Sequence, residues 1–289
     1  LGRTATNPSV GTLIVRDEGA GPMIVGSGVT AIGGRPHAEA EALAGIGELA
    51  RGATAYVTLE PCAHHGRTPP CANALVNAGI ARVVGAASDP DPRVSGKGYA
   101  ILRAAGVEVV EKVLAEEASA QLAGYLIRSL KKRPEVTLKL ALSSDGKIGR
   151  HGQGQVTITG EIARREVQMM RAEADAILIG IGTALEDDPA LTVRLPGLEN
   201  RSPARIVLDR DLRLPETAKL VADVDRVPLH LAVGEGVDPQ RKAAFERRGV
   251  RFIGTDTHDG AIALPELMED LAALGMATVL VEGGAVTAG

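Results

Sequence analysis

Two short stretches of the sequence must meet in space if either is to have a chemical role, and they constrain the fold more than any other feature. The first is the tripeptide 37–39, His-Ala-Glu, and the second is the segment 60–71, which begins Glu-Pro-Cys and ends Pro-Pro-Cys. The only two cysteines of the chain both lie in the second stretch. A catalytic zinc takes three protein ligands and keeps one position open for water. The pattern therefore predicts a metal site made by His37, Cys62 and Cys71.

A carboxylate beside that site has its own chemical meaning. Glu39 lies two residues after His37, too close for both side chains to bind one metal comfortably from a helix. It suits the open position instead, where a carboxylate takes a proton from water and passes it to a leaving amine, as in zinc deaminases. We therefore predict that Glu39 is a catalytic acid and base, and not a ligand.

The spacing of the cysteines departs from the general deaminase signature. That signature separates them by two residues, whereas residues 63–70 separate them here. Two isolated cysteines are more often buried apolar residues or a disulfide. The upstream His-Ala-Glu and the proline before Cys62 favour the metal site over both alternatives.

Prolines and glycines predict where the helices of this region begin and end. One helix is expected over 38–49, just after Pro36, and another over 71–78, after two prolines and before Gly79. Two helix N-termini would then face one metal. Because a thiolate at a helix N-terminus has a lowered pKa, we expect a lowered pKa at Cys71.

The rest of the first half predicts alternating strands and helices. Apolar runs at 11–15 and 24–28 indicate a hairpin, and further strands are expected at 53–59, 82–86 and 107–110, with a helix at 98–105. This alternation predicts an α/β sheet covered on both faces. A long helix at 115–130 ends at a Lys-Lys-Arg-Pro sequence, which we take as the boundary between domains 1–133 and 134–289.

The second half is again α/β in pattern. Strands are expected at 136–142, 176–181, 204–208, 229–233, 251–253 and 278–282, with helices at 160–171, 240–248 and 265–274. Such periodicity suits many folds. Glycines after two of the strands, at 180–182 and 283–284, could let backbone amides approach a phosphate, although a Gly-Gly pair is more often a turn. No dinucleotide-binding fingerprint is present.

Composition excludes several classes of function. The chain of 289 residues has a net charge of -4, two phenylalanines, three tyrosines and no tryptophan, which argues against a nucleic-acid-binding surface. No secretory leader or long apolar run occurs, so we expect a cytoplasmic protein that has no membrane partner.

Motifs along almost the whole chain carry a family resemblance. In the first half they are Asn-Pro-Ser-Val-Gly at 7–11, the cysteine segment, Ser-Asp-Pro-Asp-Pro at 88–92 and Ser-Gly-Lys-Gly at 95–98. In the second half they are Leu-Lys-Leu-Ala at 138–141, Asp-Gly-Lys at 145–147, Glu-Asp-Asp-Pro-Ala-Leu-Thr-Val-Arg at 186–194 and Val-Glu-Gly-Gly at 281–284. In this order they resemble the bifunctional deaminase and reductase family of riboflavin biosynthesis.

The resemblance implies a fold and two reactions. It implies a cytidine-deaminase-like three-layer α/β/α domain followed by a dihydrofolate-reductase-like α/β domain. The family deaminates 2,5-diamino-6-(5-phosphoribosylamino)pyrimidin-4-one with zinc-activated hydroxide and then reduces the ribosyl group to ribityl with NADPH. The implied cofactors are Zn²⁺ and NADPH, the partner is this phosphoribosylaminopyrimidine, and the protein is expected to be a homo-oligomer.

The resemblance also implies residues that bind ligands. Residues expected to contact substrate are Asn7, His64 and Lys97 in the first half, and Gln155, Arg171, Leu191, Arg194 and Glu282 in the second. Those expected to contact the cofactor are Thr157, Thr183, Asp187, Gly283 and Gly284. Turn residues, solvated loop residues and surface ion pairs are the ordinary alternatives.

The chain departs from the family in the second half. Gln155-Val156-Thr157 stands where the family commonly has Ser-x-Trp, and the sequence stops soon after Glu-Gly-Gly, where the family has further strands. The alternative function is a zinc deaminase of nucleosides or nucleic acid whose second domain lacks reductase activity. A third possibility, a binding module with a structural zinc, does not explain Glu39.

Overall fold

The structure is a computed structural model that describes residues 4–65, 69–149, 156–284 and 287. It divides into two compact units, one reaching Lys131 and the other beginning at Lys132. The domain boundary predicted after residue 133 lies close to this division. Both units are α/β, as the sequence predicts.

The first unit is built on a mixed sheet of five strands in the order β2-β1-β3-β4-β5. The strands are β1 (Gly11–Asp17), β2 (Pro22–Val29), β3 (Thr54–Leu59), β4 (Arg82–Ala87) and β5 (Glu108–Val110). β1 pairs antiparallel with both β2 and β3, so the predicted hairpin is confirmed. β3, β4 and β5 are parallel, and their carboxyl ends share one edge of the sheet.

The described helices of the first unit are short. They are α1 (Ala38–Leu43), α2 (Cys71–Asn77), α3 (Lys97–Ala104), α4 (Ala115–Gln121) and α5 (Ala123–Lys131). α2 ends as predicted, because Gly79 has a φ of 74° and donates to Val76 O at 2.9 Å. A core of small aliphatic side chains, including Ile14, Leu75 and Leu102, is fully buried between the sheet and these helices.

Two predicted helices were too long. The helix expected over 38–49 ends at Leu43 because Gly45 and Gly47 have positive φ angles of 78° and 53°, and a separate 3-10 turn follows at Gly47–Ala50. The helix expected over 115–130 is interrupted at Leu122, which separates α4 from α5.

The prediction that both faces of the first sheet are covered is only partly right. α4 and α5 pack at the ends of β3 and β4 through Leu59, Ala87, Ala118 and Leu122. Over β1 and β3, an open groove is lined by Leu13 and Tyr56, which are 40% and 43% exposed.

The second unit contains a sheet of six strands in the order β10-β9-β8-β7-β13-β6. They are β6 (Glu135–Leu138), β7 (Ala176–Gly180), β8 (Ala204–Leu208), β9 (Leu229–Val233), β10 (Arg251–Gly254) and β13 (Thr278–Val281), and a small hairpin is made by β11 (Thr257–His258) and β12 (Ala261–Ile262). All pairs in the larger sheet are parallel. The strand predicted over 136–142 is shorter in the structure, where β6 ends at Leu138.

The position of the last strand decides where ligands can bind in this unit. β13 is the second strand from one end of the sheet, between β6 and β7, so the Glu-Gly-Gly that follows it emerges at the carboxyl edge, between the ends of these two strands. Ligands of parallel α/β sheets bind at this edge. The described helices around the sheet are α6 (Glu161–Glu173), α7 (Ile181–Asp187), α8 (Lys219–Ala222), α9 (Pro239–Arg247) and α10 (Leu264–Ala273).

Within the described ranges, no helix has the length and apolar character needed to cross a membrane.

Close packing of β2 on α1 gives a test of this fold. A Cβ added at Gly28 would lie 2.3 Å from Ala38 O, so Gly28→Ala must push away the helix that carries Glu39. We expect a loss of about 1–3 kcal/mol in the free energy of unfolding, measured by chemical denaturation. Gly11→Ala is the matched control, because its Cβ would meet only Thr58 Cγ2 at 3.7 Å. Equal stability of the two variants would contradict this packing.

Candidate functional site

The three predicted metal ligands lie together in the first unit. His37 is the extended residue that precedes α1, Cys62 lies in the loop after β3, and Cys71 is the first residue of α2. Their ligand atoms all lie within 4.8 Å of one another. His37 Nδ1 is 3.3 Å from Cys71 Sγ and 3.7 Å from Cys62 Sγ, so Nδ1 is the nitrogen that faces the sulfurs.

This donor set fits zinc. With Zn–S near 2.3 Å and Zn–N near 2.05 Å, tetrahedral geometry separates a nitrogen and a sulfur by about 3.5 Å, which matches the two distances above. One imidazole and two thiolates leave a fourth position for water. The Cys71 backbone N–H also donates to Cys62 Sγ at 3.2 Å, which ties the loop to the start of α2.

The two thiols have opposite shifts in pKa. The hydrogen bond from Cys71, together with His37, lowers the pKa of the Cys62 thiol to about 4. The same partnership with Cys62, and burial, raise the pKa of Cys71. The lowered pKa expected at Cys71 is found at Cys62 instead, because the hydrogen bond between the two side chains lowers the pKa of one thiol and raises that of the other. Zinc takes both sulfurs as thiolates, so its binding releases protons.

Glu39 lies in the first turn of α1 and is only 4% exposed. Burial, and secondarily the negative charge of Cys62, raise the pKa of its carboxyl group to about 6. A carboxyl group in that range can both accept and donate a proton near neutral pH. The structure thus places a buried carboxyl group beside the ligand set.

The predicted substrate residues of the first unit lie in three different segments. Asn7 Nδ2 packs against Gly34, where a Cβ would be only 2.2 Å away and where φ is 86°; Gly34 leads into His37. His64 is half-buried in the cysteine loop, and its Nδ1 is buried with no hydrogen-bond partner in the described part of the chain. Lys97 begins α3, and its Nζ donates to Pro92 O at 2.8 Å.

Sequence reasoning missed two buried acids that organise these segments. The Glu60 carboxylate accepts from Gly96 N and Gly98 N, both at 3.1 Å, and so fixes the start of α3. Asp89 accepts from Tyr125 Oη at 3.0 Å. Both acids stand in motifs that the sequence singled out, but their partners are 36 to 38 residues away and no local pattern reveals them.

In the second unit, a cavity lies at the carboxyl edge of the parallel sheet. Its volume is about 930 Å³. Five predicted residues line it: Thr183, Asp187, Glu282, Gly283 and Gly284. Thr183 and Asp187 belong to α7, which follows β7, while the other three follow β13. The topology therefore gathers two motifs that are about 100 residues apart in the sequence.

The glycines allow close approach in this cavity. A Cβ at Gly283 would lie 2.5 Å from Thr287 Cβ, and one at Gly284 would lie 3.3 Å from Thr183 Oγ1. Of the residues that follow Gly284, the structure describes only Thr287.

Arg171 and Glu282 form an ion pair that sequence reasoning did not anticipate. Arg171 Nε and Nη2 donate to the two carboxylate oxygens of Glu282 at 2.6 and 2.8 Å, and the side chains are 11% and 10% exposed. Arg171 Nη1 also donates to Thr192 O at 3.3 Å. The two residues were expected to contact substrate separately, whereas the structure pairs them.

The other predicted residues of the second unit that the structure describes do not line the cavity. Leu191 is buried with a φ of 53°, and Arg194 is exposed. Thr157 is exposed between the cavity-lining residues Val156 and Ile158, and Gln155 lies outside the described residues. Lys139, which had no predicted role although its motif was noted, lines the cavity just beyond the end of β6.

Comparison with known families matches both halves of the chain. A model described as the RibD C-terminal domain matches residues 134–289. Another, described as the cytidine and deoxycytidylate deaminase zinc-binding region, matches residues 2–87.

Relatives match the full length of the chain. Riboflavin biosynthesis protein RibD of Escherichia coli K12 is 40% identical over 99% of this chain and 78% of its own length. The solved structure of Acinetobacter baumannii RibD, form 2, has a TM-score of 0.85 at 38% identity, covering 99% of this chain and 76% of that one. The Thermotoga maritima diaminohydroxyphosphoribosylaminopyrimidine deaminase/5-amino-6-(5-phosphoribosylamino)uracil reductase has a TM-score of 0.83 at 35% identity, covering 98% and 76%.

The ligand set can be tested by metal content. We expect the full chain to bind one zinc, and His37→Gln to lower the affinity by more than the roughly 10–100-fold that loss of an outer-shell partner costs. His65→Gln, an exposed histidine of the cysteine loop, is the control and should keep wild-type affinity. Competition with a chromophoric chelator measures both. Unchanged affinity in His37→Gln would contradict the site.

Proposed function

We propose a substrate, a cofactor and residue roles for this chain, which belongs to the RibD family of riboflavin-biosynthesis proteins and is a bifunctional deaminase and reductase. The first reaction is hydrolytic deamination of 2,5-diamino-6-(5-phosphoribosylamino)pyrimidin-4-one. The second is NADPH-dependent reduction of the ribosyl group of the product to ribityl. The observation that carries the proposal is the convergence of His37, Cys62 and Cys71 beside the buried carboxyl group of Glu39.

The first unit performs the deamination. Zinc, when held by the imidazole and the two sulfurs, acidifies water so that it is a nucleophile at neutral pH. The Glu39 carboxylate accepts a proton from the attacking water and delivers it to the exocyclic nitrogen, which leaves as ammonia. The raised pKa of Glu39, caused mainly by burial, suits it to both transfers.

Three residues orient the substrate in the first unit. Asn7, packed on the turn that leads to His37, binds the pyrimidine through its amide. Lys97 binds the phosphate, because its ammonium group is at an exposed helix start. His64 contacts the substrate from the cysteine loop. The Glu60 carboxylate binds the backbone amides at the start of α3, and this fixed helix start supports the assignment of Lys97.

The second unit performs the reduction at the carboxyl edge of its sheet. The nicotinamide cofactor supplies the hydride when bound, and the protein positions it. Thr183, Asp187 and the backbone amides of Gly283 and Gly284 hold the cofactor in the 930 Å³ cavity, with Thr157 beside its rim.

Glu282 contacts substrate at the same cavity. Arg171, Leu191 and Arg194 are also assigned to substrate, and Arg194 binds its phosphate. The bidentate pair with Arg171 fixes the orientation of the Glu282 carboxylate. Gln155, at the position of the family serine, is also assigned to substrate.

The alternative substrate classes are less consistent with this chain. A deaminase of nucleic acid needs a basic surface with stacking aromatics, whereas the net charge is -4 and tryptophan is absent. We further propose that the enzyme works in the cytoplasm, where the two free cysteines stay reduced, and that it is a homo-oligomer, as expected from its family.

Glu39→Gln tests the deaminase assignment. We expect ammonia release to fall by about 10²–10⁴-fold, because the amide cannot carry the proton, while zinc content stays at the wild-type level. Glu41→Gln, on the same helix, is the matched control and should keep full activity. Deamination by Glu39→Gln at near wild-type rate would refute the role of this carboxylate.

Thr183→Val tests the cofactor site. Loss of one hydroxyl contact should weaken NADPH binding by about three- to tenfold, measured by fluorescence titration of the full chain. Thr183→Ser keeps the hydroxyl and should restore the affinity, and ammonia release should be unaffected in both variants. Wild-type NADPH affinity in Thr183→Val would remove this residue from the site.

A further inference from the structure

The segment 190–194 of the second unit has no regular secondary structure, yet side chains from several elements fix its backbone. Arg205 Nη1 donates to Ala190 O, and Arg171 Nη1 donates to Thr192 O, both at 3.3 Å. Two residues of this segment, Leu191 and Arg194, are assigned to substrate above, so the inference below rests on the proposed function.

The two amides next to the exposed arginine are bound most directly. Arg194 N donates to Gln168 Oε1 at 2.7 Å. Val193 N donates to Ser202 Oγ at 3.0 Å, and Ser202 Oγ in turn donates to Glu199 O at 3.2 Å. Side chains from two separate segments thus bind consecutive amides, which restrains the backbone at Arg194.

Gln168 lies on α6, the helix whose Arg171 pairs with Glu282. Gln168 and Arg171 are three residues apart on α6 and therefore lie on one face of the helix. The first binds the backbone of Arg194, while the second binds Thr192 O and the Glu282 carboxylate. One face of α6 thus sets the positions of both Arg194 and Glu282.

The backbone of this segment is restrained by hydrogen bonds, whereas the side chain of Arg194 is exposed to solvent. Val193 is 2% exposed, and the next residue, Arg194, has an exposed side chain. An arginine whose backbone is fixed in advance loses less conformational freedom when its guanidinium binds a phosphate. Removing the fixation should weaken substrate binding without changing the hydride transfer itself.

We infer that Gln168 and Ser202 are positioning residues of the reductase reaction, which hold the Arg194 backbone so that its guanidinium meets the phosphate of the substrate. Neither side chain needs to touch the substrate. Their effect is expected in KM for the deaminated pyrimidine and not in kcat or in NADPH affinity.

The test uses steady-state NADPH oxidation by the full chain with the deaminated substrate. Gln168→Leu removes the acceptor oxygen at similar size, Gln168→Glu keeps an acceptor, and Glu166→Leu places the same leucine at an exposed position of the same helix. Ser202→Ala and Ser202→Thr form the corresponding pair. Thermal denaturation of each variant checks that the second unit stays folded at the assay temperature.

We expect KM to rise about three- to tenfold in Gln168→Leu and in Ser202→Ala, the effect of one hydrogen bond, with kcat within about twofold of wild type. Gln168→Glu, Ser202→Thr and Glu166→Leu should stay close to wild-type KM. In an Arg194→Ala background, Gln168→Leu should add no further increase in KM, because it acts through Arg194.

Several outcomes would overturn the inference, and they separate it from the proposed function. If Arg194→Ala raises KM while Gln168→Leu and Ser202→Ala do not, the positioning role alone fails. If the two effects multiply in the double variant, Gln168 acts independently of Arg194 and the inference is wrong. If Arg194→Ala leaves KM unchanged, the assignment of Arg194 to substrate fails, and the positioning role fails with it.

Discussion

The first unit depends on bringing one nitrogen and two sulfur donor atoms to one point. His37, Cys62 and Cys71 come from three segments, yet their ligand atoms lie within 4.8 Å. The parallel pairing of β3 with β4 and the close approach of β2 to α1 make this possible, because they bring the start of α1 and the start of α2 to the loop after β3. The hydrogen bond between the two cysteine side chains lowers the pKa of Cys62 and raises that of Cys71, and zinc would take both as thiolates.

In the second unit, as in the first, residues predicted to bind ligands follow the carboxyl ends of parallel strands. The strands of its larger sheet are all parallel, and the insertion of β13 between β6 and β7 places Glu282 at the carboxyl edge of that sheet. A carboxylate there needs a partner, which Arg171 supplies from α6 through a bidentate, largely buried pair. Breaking such a pair leaves an uncompensated buried charge, so the same contact that orients Glu282 also supports the fold.

The sequence predicts the convergence of the metal ligands because few chemical roles combine His-Ala-Glu with two cysteines. It also predicts the end of α2, where Gly79 takes a positive φ. It does not predict the early end of α1 at Leu43, since Gly45 and Gly47 are tolerated in a helical pattern. The pairing of Arg171 with Glu282 spans 111 residues and depends on strand order, which no local pattern contains. The same holds for Glu60 and the start of α3.

We propose that one chain performs both reactions in order. The most direct measurement supplies the diaminopyrimidinone ribosyl phosphate and NADPH to the zinc-loaded full chain and follows ammonia and NADPH together. We expect ammonia to appear first and one NADPH to be consumed for each ammonia released. Ammonia release with no NADPH oxidation would contradict the role of the second unit, and NADPH oxidation before any ammonia appears would contradict the order of the reactions.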